Sequence, residues 1–269
     1  MTSTTSTYET ITLATSDHVS TITINRPDVL NAFNDAFSKE MLDAIKTADR
    51  DPETRVIVIT GAGRAFSSGQ DLGDLKRKYV PGHVPELGDD LRRRYDPMIT
   101  RIRATGKPVI AAVNGVAAGA GCSLALACDL RIASEHAAFI EVFVNVGLVP
   151  DSGSTWTLPR LIGWGRAMEM CMTGRKVKAE EALQIGLVNQ VVSADELEAA
   201  TQKMAHQLAS LPGRALALTK RLINESYGRS LEDQLEAEAY AQDTAGKTKD
   251  HFEGVTAFLE KRSPTFVGA

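Results

Sequence analysis

The chain has 269 residues and 43% hydrophobic content, a size that suits one large domain or one domain with a small appendage. Its formal net charge of −4 argues against a dedicated nucleic-acid surface, and no apolar run reaches the length of a membrane span. The three cysteines form no CxxC pair and the five histidines no HExxH pattern. We therefore expect a cytoplasmic protein without a zinc site and without a nucleic-acid or membrane partner.

The first part of the chain alternates strand-like and helix-like segments. Residues 1–7 are polar, and we predict a disordered tail there. Strands are predicted at 19–24, 56–60, 109–113 and 130–133, and the apolar spacing predicts an amphipathic helix over 34–49. The charged segment 76–94 contains prolines and glycines and predicts a mobile excursion, in which His83 is a surface residue.

Beyond residue 147 the chain is mainly helical in pattern. The candidate helices are 163–173, 179–185, 194–210, 213–227, 231–245 and 249–262. Strand–helix alternation followed by helices indicates an α/β protein with a helical C-terminal region.

Two glycine-containing turns carry the first functional signal. Residues 114–129 read NGVAAGAGCSLALACD and residues 61–72 read GAGRAFSSGQDL, and each turn follows a predicted strand. Small residues let a backbone approach another group closely, and a helix start leaves N–H groups unpaired at a positive dipole end. The two turns therefore predict amide donors that converge on one atom, either a phosphate oxygen or a developing oxyanion.

Three segments, in this order, resemble signature blocks of the crotonase, or enoyl-CoA hydratase/isomerase, superfamily. They are GRAFSSGQDL, KPVIAAVNGVAAGAGCSLALACDLRIAS and FVNVGLVPDSGSTWTLPRLIG, and the likeness runs from about residue 8 to residue 266. The resemblance implies an α/β spiral of ββα units over 8–200 and a helical oligomerisation region over 201–269, which forms a homotrimer or a dimer of trimers. It also implies an acyl-CoA substrate, no cofactor apart from the substrate's own coenzyme A, and no metal.

The resemblance places the backbone N–H groups of Gln70 and Ala120 on the thioester oxygen as an oxyanion hole. Donors placed where the enolate charge develops stabilise that state selectively. Asp71 is also expected to fix the first turn. Further contacts with the acyl-CoA are expected at Asp28, Leu30, Ala65, Ser67, Ser68, Asp71, Leu72, Gly119, Phe143 and Lys261.

The departures from the family pattern concern the reaction. Hydratases of the family carry two glutamates, and their positions are held here by Ser123 and Phe143, so ordinary water addition loses its acid and its base. A carboxylate occurs instead at Asp151, which we predict to be a single proton shuttle. Apolar neighbours, namely Phe143, Val146 and Leu148, would raise its pKa. The alternative is that Asp151 caps a turn or the following helix.

Glu141 is the rival or auxiliary base. If the segment is extended, Glu141 shares a face with Phe139 and Phe143 and could point into the same pocket. The other interpretation is a solvated or ion-paired glutamate.

Several functional interpretations remain at this stage. The isomerase branch that acts on ring-epoxidised phenylacetyl-CoA has the most similar pattern, and a Δ3,Δ2-enoyl-CoA isomerase of fatty acid β-oxidation would use the same site. A catalytically silent acyl-CoA-binding protein is the interpretation from a different class. The turns complete no GxGxxG pattern and the chain has no GxSxG, so a Rossmann dehydrogenase and a serine hydrolase are disfavoured.

Overall fold

The computed structural model describes residues 4–79, 82 and 85–268. Eleven strands occur in these residues. They are β1 (Thr4–Thr7), β2 (Ile11–Ser16), β3 (Val19–Ile24), β4 (Val56–Gly61), β5 (Ala65–Ser67), β6 (Val109–Val113), β7 (Val116–Ala118), β8 (Leu130–Ser134), β9 (Ala138–Ile140), β10 (Lys176–Lys178) and β11 (Gln190–Val192).

Twelve α-helices occur in the same part of the chain. They are α1 (Asp35–Arg50), α2 (Leu72–Lys78), α3 (Leu87–Asp90), α4 (Asp96–Ala104), α5 (Ala120–Ala127), α6 (Ser154–Ile162), α7 (Trp164–Thr173), α8 (Ala179–Gln184), α9 (Leu197–Ala209), α10 (Gly213–Ser226), α11 (Leu231–Ala245) and α12 (Lys249–Glu260). A π-helical segment (Leu91–Tyr95) joins α3 to α4, and 3₁₀ turns occur at Pro27–Val29, Val142–Val146 and Ala194–Glu196.

The strands form two sheets that the chain visits alternately. The larger sheet has the order β1-β2-β3-β4-β6-β8-β11 and is parallel from β3 to β11, and the smaller sheet has the order β10-β9-β7-β5. Each of β4, β6 and β8 in the larger sheet is followed by a short strand in the smaller one, and then by helical structure. This repeated ββα order confirms the predicted α/β fold class.

The side chains explain this arrangement. On β3 and β4, residues such as Ile22 and Ile59 are fully buried in one apolar cluster with Phe66 of β5 and Phe139 of β9, so the core lies between the two sheets. Helix α1 adds its predicted apolar face to this core, and the Asn34 side chain caps it by accepting from the Phe37 N–H at 2.9 Å.

Several boundaries differ from the sequence predictions. Residues 4–7, predicted to belong to a disordered tail, form β1, which pairs with β2. The segment 76–94, predicted to be a mobile excursion, contains the end of α2, all of α3 and most of the π-helical segment, while His83 lies outside the described residues.

The domain boundary predicted at residue 200 falls inside α9. Apolar residues of α9, such as Leu197 and Ala205, are buried against Val58 of β4, Ile110 of β6 and Ile132 of β8. Helix α9 therefore covers the outer face of the larger sheet, and the separate helical region begins after it.

Candidate active site

The two glycine turns pack directly against each other. Gly69 has φ +87°, and a Cβ atom placed there would lie 2.7 Å from Ala118 O and 3.4 Å from Ala120 N. A Cβ at Gly121 would lie 2.6 Å from Ser67 O. Both contacts are too short for a real side chain, so glycine at these positions is what allows the turns to meet.

This contact brings together the two predicted amide donors. Phe33 N–H donates to Gly69 O at 2.7 Å and Asp71 N–H donates to Phe33 O at 3.0 Å, so the intervening Gln70 N–H points away from Phe33. Ala120 is the first residue of α5, where an N–H has no intrahelical acceptor. Across the residues that the structure describes, neither N–H donates to a protein atom. Two free donors on adjoining turns can stabilise a developing negative charge.

Asp151 lies on a loop that is tied to the same helix. Its backbone carbonyl accepts hydrogen bonds from Ser123 Oγ at 3.1 Å and from Ser154 Oγ at 3.0 Å. Ser123 is fully buried on α5, three residues after Ala120, and also donates to Gly119 O at 3.3 Å. Ser123, which stands at one of the two hydratase glutamate positions, therefore connects the Asp151 loop to the start of α5, where the Ala120 N–H lies.

Among the described residues, the carboxylate of Asp151 accepts one hydrogen bond and caps no helix. Its Oδ1 accepts a hydrogen bond from Ser152 Oγ at 2.8 Å, and no side chain caps α6, whose N-cap residue is Gly153. The alternative in which Asp151 caps the following helix is therefore wrong, and its part in the turn is played by its backbone carbonyl, which accepts from Ser154 N–H at 3.1 Å. Burial raises the pKa of Asp151 to about 6, although the Ser152 hydrogen bond lowers it and the Asp96 charge raises it further.

The predicted apolar neighbours of Asp151 are only partly where we expected them. Phe143 is buried and lies near the start of α5, 3.8 Å from a Cβ placed at Gly119. Val146 and Leu148, however, are 70% and 41% exposed, so they are not part of the buried core around Phe143. The physical reason is local structure, because the chain turns into a 3₁₀ helix at Val142 and extended alternation ends there.

Glu141 is fully buried, and the prediction that it is solvated or ion-paired is wrong. Among the described residues neither carboxyl oxygen has a hydrogen-bond partner that satisfies normal geometry. Burial raises the pKa of Glu141 to about 7; nearby Cys122 and Ser154 lower it in part, and the Asp151 charge raises it. Two carboxyl groups with raised pKa values therefore lie close together: Asp151 on the loop, and Glu141 buried near it.

This burial has a measurable consequence for stability. A carboxyl whose pKa is raised in the folded state binds protons more tightly than in the unfolded chain, so its contribution to stability is lost as pH rises from about 4.5 to about 7. Glu141→Gln removes that penalty. We expect urea unfolding to show the variant gaining up to about 3 kcal/mol over the wild type between pH 4 and pH 8.

A matched substitution tests the cause of that effect. Glu135→Gln replaces an exposed glutamate, and its stability relative to the wild type should change little over the same pH range. Parallel stability curves for Glu141→Gln and the wild type would show that Glu141 ionises normally in the folded protein.

Comparison with known proteins decides the family. Residues 14–269 match the family model described as enoyl-CoA hydratase/isomerase. The chain belongs to the enoyl-CoA hydratase/isomerase family. It is 45% identical to the 1,2-epoxyphenylacetyl-CoA isomerase of Escherichia coli over 93% of this chain and 95% of that protein.

Other relatives of this family member carry hydratase names. A probable enoyl-CoA hydratase of Rhodobacter capsulatus is 43% identical over 97% of this chain and 99% of the relative. The crystal structure of an enoyl-CoA hydratase subunit from Geobacillus kaustophilus superposes with a TM-score of 0.90 at 37% identity, covering 98% of this chain and 100% of that one. The family and its crotonase fold are thus shown, whereas the names alone do not separate isomerase from hydratase.

Most of the residues that we predicted to contact acyl-CoA lie near one another in the structure. Ser68 N–H donates to Leu30 O at 2.9 Å. The Pro27–Val29 turn, which contains Asp28, and the residue after it therefore lie against the segment 65–72. Within the latter are Ala65, Ser67 and Leu72, the first residue of α2. Lys261 is exposed at the C-terminal end of α12, and no described contact joins it to either glycine turn.

Asp71 has the structural role expected of it in this fold. Its carboxylate accepts from Gly73 N–H at 2.7 Å at the start of α2 and pairs with Arg26 at 2.8 Å. These contacts offset partial burial and hold the pKa of Asp71 below its ordinary value. Asp71 thus fixes the chain directly after Gln70.

One side-chain pair at the site was missed from sequence. Tyr95, the last residue of the π-helical segment, donates its hydroxyl hydrogen to Gln70 Oε1. Charge, prolines and glycines in the preceding residues 76–94 predicted mobility, and nothing in the local pattern indicated that Tyr95 would be 4% exposed beside an oxyanion turn. A π-helical turn inside a helix is uncommon and often accompanies a functional site, but it is not readable from sequence.

The described part of the chain has neither a membrane-spanning helix nor a metal-binding cluster of side chains. No helix there is long and apolar enough to cross a membrane. No group of three or more histidine, cysteine, aspartate or glutamate side chains there could hold a metal ion.

Proposed function

We propose that this protein is an acyl-CoA isomerase and that its natural substrate is 1,2-epoxyphenylacetyl-CoA. The observation that carries the proposal is the single half-buried Asp151 carboxylate, on a loop tied through Ser123 to the α5 start, with serine and phenylalanine at the two hydratase glutamate positions. The 45% identity to the Escherichia coli isomerase supports the choice of substrate.

The chemistry follows from the positions of the groups. The Asp151 carboxylate removes a proton from an acyl carbon activated by the thioester, and the electron pair moves onto the thioester oxygen as an enolate. The Gln70 and Ala120 N–H groups stabilise that oxygen, which is more negative than in the ground state. The protonated Asp151 then returns the proton to another carbon. In the epoxide substrate the bond between the two epoxide carbons also breaks, and its electron pair joins the rearranged ring double bonds of the oxepin, so no atom is gained or lost. The proposal needs no cofactor beyond the substrate's own coenzyme A.

The raised pKa values suit this role. A base whose pKa is near the working pH combines ionisation with proton affinity, and Asp151 at about 6 meets that condition. Glu141 is fully buried, so we assign it an auxiliary role behind the site rather than direct contact with substrate. With the ionised Asp151 nearby, Glu141 keeps its proton to a higher pH than Asp151, so between about pH 6 and pH 7 it does not compete for the substrate proton.

The test is a product analysis with three thioesters. We expect the purified protein to convert 1,2-epoxyphenylacetyl-CoA to its oxepin isomer and 3-hexenoyl-CoA to 2-hexenoyl-CoA, as followed by liquid chromatography with ultraviolet detection, and to add no water to crotonyl-CoA, as followed by mass spectrometry. Turnover of 3-hexenoyl-CoA alone would favour the Δ3,Δ2-enoyl-CoA isomerase of β-oxidation. Hydration of crotonyl-CoA without isomerisation would contradict the proposal, and no turnover of any thioester would favour the silent binding protein.

We also propose a cytoplasmic homotrimer or dimer of trimers. The three cysteines are unpaired, which suits a reducing compartment. The C-terminal helices expose large apolar side chains, among them Phe258 at 82% and Leu259 at 74%, and exposed apolar surface of this kind marks an interface.

Light scattering tests the assembly. We expect three or six times the protomer mass for the wild type and a smaller species for Phe258→Glu, because a buried unpaired charge opposes association. A monomeric wild type would contradict the proposed oligomer.

A further inference from the structure

The side chain of Gln70 has a hydrogen-bonding capacity that the reaction so far does not use. Tyr95 Oη donates to Gln70 Oε1, which leaves the Gln70 amide nitrogen as a donor. That nitrogen is shielded from solvent and has no hydrogen-bond partner in the described part of the protein. A buried donor without an acceptor is unfavourable in the unliganded protein, so its retention calls for a function.

The amide belongs to a residue of the proposed oxyanion hole and is connected to the Asp151 loop through Tyr95. The backbone N–H of the same Gln70 is one of the two proposed donors to the thioester oxygen, and the Asp151 charge acts on Tyr95. The helix that carries Tyr95 packs over the Asp151 loop, because Ile99 Cγ2 lies 3.5 Å from a Cβ placed at Gly153. The unpartnered donor therefore belongs to the oxyanion turn, and the segment that orients it leads into a helix that packs against the Asp151 loop.

The surroundings of Tyr95 hold this amide in place. The Tyr95 ring is 4% exposed and lies 6.5 Å from the Phe33 ring, and the Arg94 guanidinium stands 5.3 Å from its centre. Arg94 in turn pairs with Asp35 at 3.0 Å and with Asp74 at 3.7 Å. A ring fixed on both sides keeps its hydroxyl on Gln70 Oε1, and so keeps the amide nitrogen directed away from Tyr95.

We propose that the Gln70 side-chain amide, oriented by Tyr95, selects acyl groups that carry a hydrogen-bond-accepting oxygen near the carbons on which Asp151 acts. An epoxide or ring-ether oxygen satisfies the buried N–H, whereas a hydrocarbon acyl group leaves it unpaired. Sites built to hydrogen-bond a substrate discriminate strongly against analogues that lack the bonding atom. This inference rests on the proposed function and extends it from a single substrate to a chemical class.

Two unreactive thioesters that differ at a single ring atom measure how much the oxygen contributes to binding. Tetrahydrofuran-2-ylacetyl-CoA and cyclopentylacetyl-CoA differ by one ring oxygen in place of a methylene group, and calorimetry gives the ratio of their dissociation constants. We expect the wild type to bind the ether about tenfold more tightly. Gln70→Met keeps the chain length and the backbone N–H but removes the amide, so the ratio should fall to about one.

Controls and the second variant keep the proposal falsifiable. Gln190→Met, an exposed substitution of the same kind on β11, should keep the wild-type ratio. Tyr95→Phe removes the orienting hydroxyl and should reduce the preference, while Tyr8→Phe, which breaks a hydrogen bond to Asp43, should not. If Gln70→Met does not fold, Tyr95→Phe decides the question.

The outcomes separate this inference from the proposed function. A wild type that shows no preference for the ether, or binds neither thioester, overturns the inference, and so does a preference that survives both Gln70→Met and Tyr95→Phe. A wild type that prefers the ether but does not isomerise 1,2-epoxyphenylacetyl-CoA contradicts the proposed reaction alone.

Discussion

An Asp151→Asn protein is expected to convert 3-hexenoyl-CoA to 2-hexenoyl-CoA about 10²- to 10⁴-fold more slowly than the wild type. An amide cannot accept the substrate proton as the carboxylate does. The fold should persist, because the loop is held through the Asp151 backbone carbonyl by Ser123 and Ser154, whereas the carboxylate accepts one hydrogen bond, from Ser152. Deuterium incorporation from D₂O and calorimetric acyl-CoA affinity separate lost proton transfer from lost binding.

Two comparisons strengthen this test. Asp49→Asn removes another half-buried carboxylate, which pairs with Arg101, and should lower stability while leaving turnover unchanged. In the wild type, kcat/KM should fall as pH decreases through about 6, because protonated Asp151 is no longer a base. Undiminished deuterium exchange in Asp151→Asn would contradict the assignment and make Glu141→Gln the next variant to assay.

Gly69→Ala is expected to lower kcat about 10²- to 10³-fold, the usual effect of losing an oxyanion donor. The new Cβ would meet Ala118 O at 2.7 Å and Ala120 N at 3.4 Å, so the two turns would have to move apart. The positive φ adds backbone strain, and we expect a stability loss of about 1–3 kcal/mol. Steady-state kinetics and urea unfolding measure the two effects.

Gly163→Ala is the matched control for that substitution. Gly163 has φ +79°, similar to Gly69, but a Cβ there would meet no atom within 4 Å, and the residue lies between α6 and α7. It should lose comparable stability from strain and keep its turnover. Equal losses of kcat in both variants would mean that the Gly69 effect is general destabilisation, and full activity in Gly69→Ala would remove the oxyanion assignment.

Local sequence determined the parts of this protein that depend on local physics. Strand β3 and the cap of α1 follow from periodicity and side-chain type, and the predicted bounds of 19–24 agree with the structure. The two glycine turns were readable as amide-donor sites because a helix start and a positive φ are properties of a few consecutive residues. The family resemblance then singled out Asp151 as the candidate proton shuttle.

Other features depended on contacts between distant segments, which only the tertiary structure decided. The three-residue strands β5, β7 and β9 are too short to show a period, and they exist because neighbouring strands complete their hydrogen bonds. Helix α9 belongs to the core for a similar reason, since its apolar face matches the outer face of a sheet formed elsewhere in the chain.

The chemistry of the site divides in the same way. Glutamate is solvated in most sequence contexts, and Glu141 is buried here because the 3₁₀ turn at Val142 and the helices α5 and α6 enclose it. The Gln70–Tyr95 hydrogen bond joins residues 25 positions apart through a π-helical turn. Sequence thus determined which groups could do chemistry, and tertiary packing determined their pKa values and partners, because desolvation and hydrogen bonding are set by neighbours distant in the chain.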